Sequence, residues 1–294
     1  MTATIMDGRK LASEIKAYVK KDVESLAKIG IKVGLAIMLV GDDRSSESYY
    51  NATLKAGKSV GIDIYEFKLP KDASVNEILN LINSINKDER ISGLLILFPL
   101  PKQINPRRVV NALAPDKDVD GLGSLSVGML AAEESIFQIF MREYVSTINE
   151  SQLFHGYNTM LPCTPTGFLP CTPFGVIRLL ERYNVTLRGK NVVVIGKSMA
   201  VGKPLALMFL SKDATVSICH KSTSNLLYYT QNADIICSAT GVKGLIKGDM
   251  IKEGAIVVDI GINVLDDGSI VGDVDIESYY NATLKAGKSV GIDI

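Results

Sequence analysis

The stretch "GKNVVVIGKSMAVGKP" (189–204) decides the fold of this 294-residue chain. An apolar run of strand type stops at Gly196 and gives way, through a short turn, to helical spacing from Val201 onward. A strand that is apolar throughout, rather than alternating, is buried on both faces, and such strands belong to parallel sheets with helical crossovers. Gly196 permits the tight turn, Ser198 and the amides after it can face a phosphate at a helix N-terminus, and Gly202 lets helix and strand pack closely. The generic dinucleotide fingerprint GxGxxG is not met, because Ser198 and Val201 occupy its second and third glycine places. On spacing alone the turn suits a nucleotide site or a plain strand-to-helix connection.

Working outward, "ATVSIC" (214–219), "SNLLYYTQNA" (224–233), "DIICSAT" (234–240) and "GAIVVDIGI" (254–262) continue the alternation of strand and helix, which predicts a Rossmann-like sheet. After "ATVSIC" an NAD-preferring site would often carry an acidic residue for the ribose hydroxyls. Here the chain reads His220, Lys221, Ser222, Thr223. Basic and hydroxyl groups suit a 2′-phosphate, which points to NADP, although a solvated loop reads equally well.

The N-terminal half repeats the pattern. Helical spacing over Leu11, Ile15, Val19, Val23 and Leu26 leads into the strand-like "KVGLAIMLVG" (32–41). "IDIYEFKL" (62–69) and "ISGLLILF" (91–98) read as further strands, and "SVNEILNLINSIN" (74–86) and "NPRRVVNAL" (105–113) as helices, Pro106 suiting a first turn. The predicted fold class is α/β with two α/β domains: an N-terminal parallel-sheet domain over 1–136 and a Rossmann-like domain over 169–276. Between them lies an irregular segment, 137–168, and after them a tail, 277–294.

Composition narrows the partners. Lys and Arg together number 32, as do Asp and Glu, so there is no electrostatic case for nucleic acid or an anionic membrane. No apolar run approaches the roughly 20 residues of a spanning helix, and the N-terminus lacks the apolar core of a signal peptide. A cytoplasmic location is expected. The cysteines, Cys163, Cys171, Cys219 and Cys237, fit neither a CxxC metal pattern nor a disulfide framework and read as reduced, buried thiols.

At "GKSMAVGKP" the chain resembles the GRSxxVGxP signature of the bifunctional methylenetetrahydrofolate dehydrogenase/cyclohydrolase family. "VGDD" (40–43), "PDKDVDGL" (115–122), "LPCTPFGV" (169–176), "DIGIN" (259–263) and "VGDV" (271–274) follow in family order. The resemblance implies a folate substrate held between an N-terminal catalytic domain and an NADP-binding Rossmann domain, usually in a homodimer. It places Gly196, Lys197, Ser198, Val201, Gly202, His220, Lys221, Ser222, Thr240, Gly241 and Ile262 at the cofactor. The reaction implied is oxidation of 5,10-methylenetetrahydrofolate by hydride transfer to NADP, followed in many members by hydrolysis to 10-formyltetrahydrofolate.

Carried over position by position, the resemblance makes Tyr49 the tyrosine along the folate ring and Asp120 the pterin-contacting aspartate. The family's proton-handling lysine falls on Thr53 and its tuning glutamine on Leu97. A hydroxyl cannot serve as an ammonium acid, so the hydrolytic step is expected to be impaired. Lys55 starts about 200° round the helix from Thr53 and reads as a solvated lysine, and Tyr50 as packing. The same departures leave open a non-catalytic NADP-binding protein on this scaffold.

Two repeats complete the reading. "LPCTP" occurs at 161–165 and 169–173, and "ESYYNATLKAGKSVGIDI" occurs at 47–64 and again at 277–294. The second copy stands where the family carries a Pro- and Gly-rich loop. Identity over 18 residues suits a copied segment better than a diverged structural repeat. A helix from about Tyr279 that competes for the groove of the first copy is the functional alternative.

Overall fold

The computed structural model describes residues 5–132, 163–164, 167–265 and 267–278. The irregular stretch 138–160 and the tail helix expected from Tyr279 lie outside them. The chain divides into two compact units, one of residues 13–171 and one of residues 1–12 with 172–294. Asp7 belongs to the second unit, its amide donating to the Tyr183 hydroxyl at 2.7 Å.

In the first unit a parallel sheet runs β2-β1-β3, from β1 (Gly34–Val40), β2 (Asp63–Leu69) and β3 (Gly93–Ile96). The central strand β1 is buried almost throughout, as is β3, whereas β2 has only exposed and half-buried positions. Helix α1 spans Gly8–Lys28. Helix α2 (Arg44–Ser59) starts at Asp43, whose Oδ1 accepts from the Ser46 amide at 2.9 Å. Helix α3 (Val75–Lys87) opens on a capping box, Ser74 with Glu77, and buries Ile78, Ile82 and Ile85. Each of those side chains is worth about 1.5–3 kcal/mol of apolar burial.

The helix expected over 105–113 is shorter. Helix α4 covers Pro106–Val110, with Asn105 as its cap. After it the amides of Ala112 and Leu113 donate to the carbonyls of Val109 and Val110, three residues back, so the chain tightens into turns instead of continuing as α-helix. Helix α5 (Ser124–Ala132) and a two-residue pair, β4 (Cys163–Thr164) with β5 (Gly167–Phe168), complete this part of the chain.

Helix α6 (Cys171–Arg182) leads into the second sheet. It is parallel, in the order β7-β6-β8-β9, from β6 (Asn191–Ile195), β7 (Thr215–Cys219), β8 (Ile235–Ser238) and β9 (Ile256–Asp259). The crossovers carry α7 (Gly202–Leu210) and α8 (Leu226–Asn232). A small antiparallel pair, β10 (Asn263–Val264) with β11 (Ile270–Val271), follows. Val193, Ile195, Cys219, Ile236 and Val257 form part of one core cluster of this sheet. Among the described residues no helix is long and apolar enough to cross a membrane.

Candidate active site

The second sheet ends in register. Ile195 pairs with Cys219 on one side and with Ser238 on the other, and Ser238 pairs with Asp259. The last residue of each strand therefore stands in one row, and the chain leaves all four strands at one edge. Because β7 lies on one side of β6 and β8 on the other, the strand order reverses at β6. Open parallel sheets hold ligands outside the carboxyl ends of their strands at such a reversal. Gly196 follows β6, His220 follows β7, Thr240 and Gly241 follow β8, and Ile262 follows β9. Strand register thus gathers at one edge residues that the sequence spreads over 67 positions, from 196 to 262 inclusive.

The two glycines of the turn are required sterically. Gly196 has φ +117°, and a β-carbon there would lie 2.5 Å from the Ala239 carbonyl oxygen. A β-carbon at Gly202 would overlap the Gly196 carbonyl. Such close backbone packing is what a dinucleotide turn needs, and it forms without the GxGxxG spacing. Ser198 does something the sequence did not predict. Its Oγ accepts from the Val201 and Gly202 amides, at 3.1 and 3.2 Å, so it closes the turn ahead of α7 and engages two of the amides expected to face a phosphate.

Beyond β7, His220 is tied into a tight turn. Its amide donates to Thr223 Oγ1 at 2.9 Å, and its Nδ1 accepts from the Ser222 amide at 3.2 Å. Nε2 is then the protonated nitrogen of the neutral ring, and Lys221 and Ser222 are exposed beside it. Ile262 is 63% exposed, an apolar side chain left open next to this edge.

Two carboxylates missed as site residues hold the far side. Asp259 Oδ1 accepts from the amides of Gly261 and Asp273, at 3.0 and 2.9 Å, and its Oδ2 from Val274 at 2.9 Å. Asp273 is fully buried, and its carboxylate accepts from Ser238 Oγ, Thr240 Oγ1 and the Thr240 amide. Burial raises the Asp259 pKa against the pull of those three amides. The signal was present in "DIGIN" and "VGDV", where each aspartate has a glycine nearby.

In the first unit, α2 presents Tyr49 and Thr53 one turn apart on one face, while Tyr50 and Gly57 are buried on another. Tyr49 is 57% exposed. Its phenol pKa is pushed up to about 12, first by desolvation and then by the Asp120 carboxylate. Thr53 Oγ1 donates back to the Tyr49 carbonyl at 2.9 Å. Tyr50 donates to Glu66 Oε2 at 2.7 Å from within the core, consistent with packing, and Lys55 is exposed.

Asp120 is half-buried on a turn that its neighbour Asp118 organises. Asp118 is buried and accepts from the Leu122 and Gly123 amides, at 3.2 and 2.8 Å, and from Ser126 Oγ at 2.9 Å. Gly121, with φ +61°, closes the turn, where a β-carbon would lie 2.5 Å from the Phe168 carbonyl oxygen. Desolvation raises the Asp120 pKa to about 6, opposed by hydrogen bonds from the Cys171 thiol and amide. Cys171 corrects the expectation of buried cysteines: Cys219 and Cys237 are buried, but Cys171 is exposed, with Sγ 3.2 Å from the Val119 carbonyl. Its thiol pKa is pushed up to about 12 by desolvation and then by Asp120, so it stays protonated at neutral pH. Tyr49, Asp120 and Cys171 therefore form one group.

Leu97 stands apart from that group. It is 1% exposed and packs with Ile37, Leu39, Tyr50 and Leu95 in the apolar core.

Comparison with known proteins places the chain in a family. Residues 6–120 match the family profile "Tetrahydrofolate dehydrogenase/cyclohydrolase, catalytic domain", and residues 170–288 match its "NAD(P)-binding domain". The chain is 44% identical over 275 residues to the bifunctional protein FolD of Methanosarcina barkeri, covering 93% of this chain and 85% of that one. It is 40% identical over 280 residues to FolD of Bacillus subtilis, covering 94% and 87%. A crystal structure of the bifunctional enzyme FolD from Campylobacter jejuni superposes with a TM-score of 0.82 at 37% identity, over 99% of this chain and 91% of that one. The Trypanosoma brucei enzyme, solved with NADP cofactor and inhibitor, gives 0.82 at 26% identity over the same shares. The chain belongs to the tetrahydrofolate dehydrogenase/cyclohydrolase family.

Proposed function

We propose that this protein oxidises 5,10-methylenetetrahydrofolate to 5,10-methenyltetrahydrofolate with NADP. The observation that carries the reading is the aligned carboxyl edge of β7-β6-β8-β9, where Gly196, His220, Thr240 and Ile262 follow successive strand ends. NADP, when bound, supplies the hydride acceptor. The Gly196–Gly202 turn would admit its pyrophosphate, His220, Lys221 and Ser222 would meet the 2′-phosphate, and Thr240, Gly241 and Ile262 would take the nicotinamide half. Tyr49 and Asp120 would hold the folate, the ring by contact with its face and the pterin by hydrogen bonding. Hydride transfer needs two carbons held in contact more than it needs a titrating group, so these positioning residues are enough for the step.

The hydrolytic step is a separate matter. Water addition to the methenyl product needs proton management, and Thr53 cannot act as an ammonium acid while Leu97 brings no polar group. The Thr53 hydroxyl is also engaged by the Tyr49 carbonyl. We therefore assign the chain dehydrogenase activity with weak cyclohydrolase activity, working as a cytoplasmic homodimer.

The test is NADPH formation from methylenetetrahydrofolate, followed by absorbance, with NAD in parallel. NADP-dependent turnover with little conversion of methenyl to formyl product is expected. Binding of NADPH without turnover would favour a non-catalytic binding protein, and equal use of NAD would remove the 2′-phosphate role of His220 to Ser222. Sedimentation of the full chain tests the dimer.

A further inference from the structure

Asp273 is assigned no contact with the dinucleotide or the folate, yet it ties the loop after β8 to the start of β10 at the cofactor edge. Its Oδ2 accepts from Ser238 Oγ at 2.8 Å, the Thr240 amide at 2.7 Å and Thr240 Oγ1 at 2.8 Å. Its Oδ1 accepts from the Val242 amide at 2.9 Å and Asn263 Nδ2 at 3.2 Å. The first four donors belong to the end of β8 and the loop after it, and the fifth, Asn263, is the first residue of β10. One buried carboxylate thus holds Thr240, Gly241 and Val242 on one side and the Ile262–Asn263 step on the other.

The position of Asp273 is itself built. Asp259, the last residue of β9, accepts from the amides of Asp273 and Val274. Two glycines make room for the arrangement: a β-carbon at Gly261 would overlap the Asp273 carboxylate, and one at Gly272 the Asp259 carboxylate. Neither glycine has the positive φ that would demand glycine for backbone reasons. Their smallness serves the two carboxylates.

We infer that Asp273 is a positioning residue for the nicotinamide half of the dinucleotide, an inference that rests on the NADP reading of this edge. The residues it organises follow β8 and β9, on one side of the strand-order reversal. The Gly196 turn and His220 follow β6 and β7, and Asp273 makes none of the contacts above with them. A merely structural carboxylate would affect both halves of the ligand alike. One that aims the β8 and β9 loops affects only the half those loops meet.

The experiment measures binding of NADPH and of 2′,5′-ADP, which carries the adenosine and 2′-phosphate but no nicotinamide, to the full chain and to Asp273→Asn. The amide keeps the shape of the carboxylate but turns an NH₂ donor toward groups that themselves donate. NADPH affinity is expected to fall at least tenfold and 2′,5′-ADP affinity to change less than twofold. Equal loss of both ligands, or unchanged NADPH binding by folded variant, would overturn the inference. If Asp273→Asn does not fold, Ser238→Ala and Asn263→Ala each remove one donor and should shift the same ratio in the same direction by about threefold. An unchanged ratio in both overturns it. Should the unmodified chain bind neither ligand, the NADP reading fails and the inference falls with it, an outcome visible before any variant is compared.

Discussion

The α-carbon of Gly202 sits against the backbone of Gly196, so that a β-carbon at residue 202 would overlap the Gly196 carbonyl oxygen and approach its carbonyl carbon to 2.6 Å. The first turn of α7 and the end of β6 are therefore closer than any side chain permits, and the neighbours that would have to move are backbone atoms. Gly202→Ala should lower stability by about 1–3 kcal/mol, the usual cost of overpacking. Urea unfolding of the two proteins checks it, and an unchanged midpoint would mean that the turn relaxes freely.

Adjacent tyrosines should behave oppositely. Tyr49 is open to solvent, so Tyr49→Ala is expected to leave stability within about 0.5 kcal/mol. It should raise KM for the folate about three- to tenfold through the lost ring contact. Tyr50→Phe removes a buried hydroxyl that donates to Glu66 and should cost about 1 kcal/mol with KM unchanged. Thermal melts paired with steady-state kinetics separate the two, and a KM effect at Tyr50 would contradict its placement in the core.

Restoring the family's polar pair should succeed at one position and fail at the other. Thr53→Lys lies on the half-buried face beside Tyr49 and should raise hydrolysis of the methenyl product, measured by loss of its absorbance, by about tenfold or more. Leu97→Gln would place an amide among Ile37, Leu39 and Leu95 and should cost about 1–3 kcal/mol. Hydrolysis that stays flat in Thr53→Lys would remove Thr53 from the account of the proposed weakness in the second activity.

Asp120 carries the pH dependence. Its folded pKa of about 6 lies above the ordinary 3.8, because desolvation disfavours the charged carboxylate. A carboxyl with a raised folded pKa binds its proton more tightly when folded. It therefore opposes folding in full above about pH 6, and the penalty fades as pH falls from 6 toward 3.8. Asp120→Asn should accordingly raise the unfolding midpoint at pH 7.5 and much less at pH 4.5, while KM for the folate rises. The unmodified protein should lose kcat/KM below about pH 6 as the carboxylate is protonated. A stability gain independent of pH would show that ionisation of Asp120 is not the cause.

Much of this molecule was determined by the sequence alone, and by short-range physics. The apolar runs around residues 34–40 and 191–195 are strands because both their faces are covered, and Ser74 with Glu77 starts a helix because its first amides need acceptors. Gly196 and Gly202 could be picked out because a turn that steep leaves no room for a β-carbon. The family strings nominated Tyr49 and Asp120 one at a time. Only the tertiary structure decided that Tyr49, Asp120 and Cys171 meet, that Leu97 is core, and that Ser198 engages the amides of Val201 and Gly202. It alone decided that Asp273 ties Thr240 to Asn263, since the 33 positions separating Asp273 from Thr240 carry no local signal. Periodicity and backbone sterics act over a few residues and can be read in order along the chain. The partners of a buried carboxylate are set by strand order and register, which bring distant segments to one edge only once the sheet has formed.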